Sequence, residues 1–180
     1  KLDKEINPRL AVAYHLHGKE LFDKKDFKNA ILKLTEAIKL VPGDPNPYVV
    51  RGDCHRELGD LASALVDYHK VLALRAKNPN SITQDGYVYV LVQIGKIERR
   101  LSSGKIVDKE KIELLNAAIA TFTKAISEAG KRGNGVAPQI LDSAYWGRAK
   151  ARVDLASIVA EEHRKELLID AILDFRRART

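Results

Sequence analysis

The side chains best suited to chemistry in this chain are five histidines, one cysteine and one tryptophan. His15 and His17 stand two apart, on different faces of any helix, whereas metal ligands on a helix need a spacing of three or four. His55 reads as a packing residue, and His69 and His163 as surface or partly packed ones. Cys54 has no second cysteine, which rules out an internal disulfide framework. It reads as a small buried residue in a reducing compartment, so the expected setting is intracellular and cytoplasmic. Trp146, next to Gly147, reads as core. The Glu161-Glu162-His163 run reads as the charged start of a helix. No glycine-rich loop cradles a phosphate, no His-Glu-x-x-His pair occurs, and no nucleophile sits in a strand–turn–helix setting. The chain is not read as an enzyme, and no cofactor or metal is expected.

The rest of the composition suits a folded, soluble, interacting chain. Its 180 residues are 45% hydrophobic and 31% charged. A chain of this length buries about 70% of its unfolded surface and needs no staple. Thirty-one Lys and Arg against twenty-four Asp and Glu leave a net charge of +7 and a pI near 9.4. That balance favours acidic partners: peptide segments, anionic membranes or nucleic acid. No apolar run is long enough for a transmembrane segment, and no signal peptide opens the sequence. The chain starts at Lys1 and lacks methionine, as a piece of a longer protein would.

Small residues recur at fixed intervals. Gly18, Ala30, Leu34, Ala37 and Pro42 form a first set, and Gly52, Ala64, Tyr68 and Val71 a second. Gly95, Ala118, Phe122 and Ala125 form a third, and Gly147, Ala171, Phe175 and Ala178 a fourth. Gly18 and Gly52 are 34 apart, and in both sets the alanine follows its glycine by 12. Small side chains at such positions let two helices cross closely. Turn signals divide each set: Asn7-Pro8 opens one helix and Asp26 the next, Asp44-Pro45 and Gly59-Asp60 do the same in the second set, and Asp108 caps a later helix. The glycine-to-alanine gaps widen to 23 and 24 in the last two sets, which lengthens those hairpins. Their tips are expected at Ser102-Ser103-Gly104 and near Ser157 or Glu161, with linkers at Asn78 to Ser81 and Gly130 to Gly135.

This spacing resembles the tetratricopeptide repeat family, whose 34-residue unit is a pair of antiparallel helices. The resemblance implies an all-α fold: an α-solenoid of about four helix-turn-helix repeats, the last two with long hairpins. It spans residues 1–180 as a single domain, with repeats at about 11–44, 45–78, 88–132 and 140–180. No further capping helix follows Arg176, Arg177, Arg179 and Thr180.

In the family the first helix of each repeat lines a concave groove. Counting each glycine as position eight, positions two, five, nine, twelve and thirteen face the groove. The first repeat then offers Val12, His15, Lys19, Phe22 and Asp23, and the second Asn46, Val49, Asp53, Arg56 and Glu57. The third offers Tyr89, Val92, Lys96, Arg99 and Arg100, and the fourth Leu141, Ala144, Arg148, Ala151 and Arg152. The last two sets make that half of the groove basic. Such a channel attracts an acidic segment, which arginine holds through paired hydrogen bonds. The function implied is a non-catalytic protein–protein interaction scaffold that binds a partner segment. Family members that grip heat-shock chaperone tails carry a carboxylate clamp of Lys, Asn, Asn, Lys and Arg. Here the five sites hold His15, Lys19, Val50, Tyr89 and Gln93, so a chaperone tail is not the expected partner. Two alternatives are a basic surface for nucleic acid and an architectural subunit that meets its neighbours through the long hairpins. The groove positions differ in type from repeat to repeat, which argues against a base-reading code.

Overall fold

The computed structural model describes residues 2–131 and 136–178, with side chains from Asn7 onward. These residues form helices α1 Leu2–Asp23, α2 Phe27–Leu40, α3 Pro45–Glu57, α4 Leu61–Lys77, α5 Gln84–Ser103, α6 Asp108–Ala129, α7 Pro138–Ala156 and α8 Glu161–Arg177. No strand occurs among the described residues. The fold is all-α, as the repeat pattern requires. No described helix is long and apolar enough to cross a membrane. Residues 132–135 of the expected Gly130–Gly135 linker, together with Arg179 and Thr180, lie outside the described residues.

Two compact units emerge, Lys1–Thr83 and Gln84–Thr180. In the first, α1 packs on α2, α2 on α3 and α3 on α4, and α1 also touches α3. The second repeats the scheme: α5 packs on α6, α6 on α7 and α7 on α8, and α5 also touches α7. Each unit is therefore two hairpins side by side with their first helices in contact. The α5–α6 hairpin is longer than the α3–α4 one, with 20 and 22 residues against 13 and 17.

Local chemistry sets most of the helix starts. Asp26, Asp44 and Asp60 cap α2, α3 and α4, their carboxylates accepting from the backbone N–H of Asn29, Asn46 and Ser63. Each cap satisfies a donor that the helix itself leaves unpaired. Two expected starts differ. The first helix begins at Leu2, so Pro8 lies inside it and Asn7 caps nothing. A proline there costs one backbone bond, and the helix continues through it. Val107, not Asp108, precedes the first turn of α6. Asp108 lies within that turn, where its charge suits the positive end of the helix dipole.

The first unit's core gathers Ala30, Leu34 and Cys54, with Leu21, Phe22, Phe27 and Ile31 against it. At the α3–α4 crossing, a Cβ on Gly52 would lie 2.8 Å from Cε1 of Tyr68. Only glycine admits that ring.

Candidate partner-binding site

The first unit scatters its expected groove residues. Lys19 is exposed, His15 and Val49 are half-buried, and Phe22 turns into the core with its ring 5.5 Å from that of Phe27. Asp53 is buried and accepts a 2.6 Å hydrogen bond from the Tyr68 hydroxyl. Arg56 lies 2.7 Å from Glu57 and 3.7 Å from Asp53. Charges of opposite sign are matched within α3, so no one-signed cluster forms there.

The register of α7 decides the second unit. In the first, Arg51 directs Nε and Nη2 at the carboxylate of Asp67 on α4, at 2.9 and 2.7 Å. Its Nη1 donates to Thr35 on α2 at 3.0 Å, and its guanidinium lies 5.7 Å from the Tyr48 ring. The same set recurs in the second unit. Arg148 meets Asp174 on α8 at 2.8 and 2.7 Å, donates to Thr123 on α6 at 3.1 Å, and lies 5.7 Å from the Tyr145 ring. Arg148 therefore corresponds to Arg51, and the buried Ala149, not Gly147, corresponds to Gly52. Gly147 faces the preceding hairpin: a Cβ there would lie 2.3 Å from Cζ of Phe122 on α6.

This two-residue offset corrects the expected groove of the fourth repeat. Arg148 is 8% exposed and tied to α8. Arg152 also turns to α8, pairing with Asp170 and Asp174. Ala144 and Ala151 are wholly buried, and so is Val92 on α5. Tyr89 is half-buried. The charges that counting from Gly147 places in the groove instead hold the hairpin together.

A different set lines the open face. A cavity of about 570 Å³ lies against α5 and α7, with Lys96, Arg99, Arg100 and Ser103 on one wall. Asp142, Ser143, Trp146, Gly147 and Lys150 form the other, and Ala178 closes one end. Lys96 and Arg100 are exposed, and half-buried Arg99 donates to Asp154 at 2.8 Å. Trp146 is 43% exposed, not core. Its ring meets Phe175 edge-on with centroids 4.7 Å apart, and Lys150 Nζ lies 5.3 Å from its centroid. Among the described residues the lining thus holds four cations, Arg99 of them paired with Asp154, and one carboxylate. Ser143, Trp146 and Lys150 escaped the count from Gly147, although the recurrence of Tyr48-x-x-Arg51 as Tyr145-x-x-Arg148 marks the true register.

A second cavity of about 520 Å³ lies among α6, α7 and α8, with Ile112, Ile119, Leu155, Val159 and Leu167 in its lining. Its arginine, Arg152, is held by Asp170, and Asn116, His163 and Glu166 complete the polar part of the lining. Among the described residues no group of His, Cys, Asp and Glu is placed to hold a metal ion.

No protein-family model matches the chain. It is similar to the Hsp70-Hsp90 organizing protein of Triticum aestivum, at 23% identity over 165 residues, covering 91% of this chain and 28% of that one. Over 118 residues it is 39% identical to U-box domain-containing protein 70 of Oryza sativa subsp. japonica, covering 66% of this chain and 14% of the relative. It is also 32% identical over 73 residues to tetratricopeptide repeat protein 16 of Mus musculus, covering 41% of this chain and 10% of that protein. The chain spans only a minor part of each relative's length.

Proposed function

Given that this chain is a helical-repeat protein of the tetratricopeptide type, we propose that it serves as a non-catalytic interaction module. Its binding surface is the open face of α5 and α7, and its ligand is an acidic segment of a partner protein. The observation that carries this reading is the cluster of Lys96, Arg99, Arg100 and Lys150 around one cavity, with Asp142 the only lining carboxylate among the described residues. A concave wall of one sign focuses the field and speeds capture of the opposite sign. The stacked hairpins hold these side chains in advance, so the ligand bears most of the ordering cost. The wheat relative is named for Hsp70 and Hsp90. At the clamp positions of this chain, however, Val50 packs toward the core and Gln93 is buried. We therefore assign no chaperone tail.

The test is fluorescence anisotropy of a labelled oligoglutamate peptide with the full chain, beside an oligolysine peptide and a mixed-sequence RNA oligonucleotide. The oligoglutamate should bind at low salt, weaken as salt screens the cations, and lose at least about tenfold in affinity on Lys96→Glu with Lys150→Glu. Unchanged binding by that double variant counts against the site. RNA bound more tightly than the peptide, and indifferent to the double variant, favours a general basic surface.

A further inference from the structure

We infer that this cavity selects an acidic segment that also carries an apolar side chain, with Lys150 standing as a displaceable cover over the Trp146 indole; this rests on the acidic-segment reading above. Trp146 is the chain's only tryptophan and remains substantially exposed although it backs onto Phe175. The edge-on contact with Phe175 fixes the indole, so a guest that packs on it spends little on ordering the ring. Lys150 stands one helical turn further along α7 with its ammonium over that ring.

An ammonium on an exposed indole is weakly held compared with one that donates to a carboxylate. A ligand acid therefore draws Lys150 off the ring, and the uncovered indole takes an apolar side chain. Acid and apolar group are thus read together, since the acid opens the place where the apolar group sits. The spacing follows from the helix. Trp146 and Lys150 are four residues apart, an axial rise of about 6 Å. An extended segment covers that distance in about two residues, at ~3.3 Å each. The occupant is accordingly an extended acidic stretch of another protein with a leucine-like or aromatic side chain about two residues from an Asp or Glu. A purely acidic polymer draws the lysine away but brings no apolar side chain to the uncovered indole.

Two synthetic peptides test this against the full chain: oligoglutamates of equal length whose central residue is Leu in one and Ser in the other. The Leu peptide should bind about tenfold more tightly and shift Trp146 emission to the blue, the Ser peptide without such a shift. By calorimetry, Trp146→Ala should bring the affinities of the two peptides together, and Trp146→Phe should restore part of the difference between them. Equal affinity of the two peptides for the native chain, which needs no variant to measure, overturns the inference and leaves the acidic-segment reading standing. A preference that survives Trp146→Ala also overturns it. If neither peptide binds at low salt, the acidic-segment reading fails and takes this inference with it.

Discussion

Arg148 and Asp174 meet end to end, two nitrogens of one guanidinium facing both oxygens of one carboxylate at 2.8 and 2.7 Å. Asp174 is 1% exposed and also receives Arg152. The arrangement joins α7 to α8, and through Thr123 it reaches α6. Removing the carboxylate strands the buried Arg148 without a charge partner and leaves Arg152 to Asp170 alone. Breaking a buried pair in that way costs ~3–5 kcal/mol. Asp174→Ala should therefore lower the urea midpoint strongly, whereas an apolar replacement of both partners, Arg148→Met with Asp174→Leu, should cost much less. A loss below about 1 kcal/mol for the single change would mark the pair as no stronger than a surface one. Charge reversal at Arg148 consequently tests the fold, not the groove.

Gly147 offers a second measurement. A methyl group there meets the Phe122 ring first, because glycine faces the preceding hairpin. Overpacking of this kind costs ~1–3 kcal/mol. Gly147→Ala should be destabilising in the native background and close to neutral with Phe122→Leu. A Phe175→Leu background should give no such relief. If the relief came from Phe175, the register set by Ala149 would be wrong.

These two sites also show what was legible in advance. Gly18 and Gly52 share one local arrangement, so counting along the chain finds the hairpins, the caps at Asp26, Asp44 and Asp60, and the face of α5 that carries Lys96, Arg99 and Arg100. The fourth repeat defeats the count because two small residues, Gly147 and Ala149, lie two apart on α7 and serve different neighbours. The glycine looks like the marker, but the alanine sits opposite the hairpin's own second helix. The spacing of small residues alone does not tell them apart. The distinction lies in Tyr145, Arg148 and Asp174, whose match to Tyr48, Arg51 and Asp67 emerges once α4 and α8 are set beside α3 and α7. The same two-residue slip makes Trp146 read as core and leaves Lys150 off the groove.

Cys54 should be chemically silent in the folded chain. It is fully buried beside Ala30 and Leu34, and burial, aided by the nearby Asp53 charge, pushes its thiol up to about 12. The thiolate is the reactive form, so folded protein near neutral pH should resist iodoacetamide and react at an ordinary rate only in urea. Rapid labelling of the native chain would mean that the α1–α4 core opens readily.

The two units should respond to acid in opposite senses. Burial lowers the pKa of His15, and Lys19 adds to this while Asp44 opposes it. The folded first unit therefore resists a proton that the unfolded chain accepts, and stability is lost as pH falls through the ordinary histidine value of about 6.5. Burial raises the pKa of Glu98 on α5 against an opposing hydrogen bond to Thr121, and its Oε2 has no hydrogen-bond partner among the described residues. Here the folded state takes up the proton first. That contribution is complete below the ordinary carboxylate value and is lost as pH rises through the raised one. Glu98→Gln should stabilise the chain near neutral pH, with a gain that fades toward about pH 4. His15→Leu should flatten the loss of stability between about pH 7 and 5. Urea unfolding of the full chain at several pH values, followed by hydrogen exchange of the amides around Leu34 and Phe122, reads the two units separately. A stabilisation by Glu98→Gln that stays constant down to the acid limit would show that Glu98 is not held protonated by its surroundings.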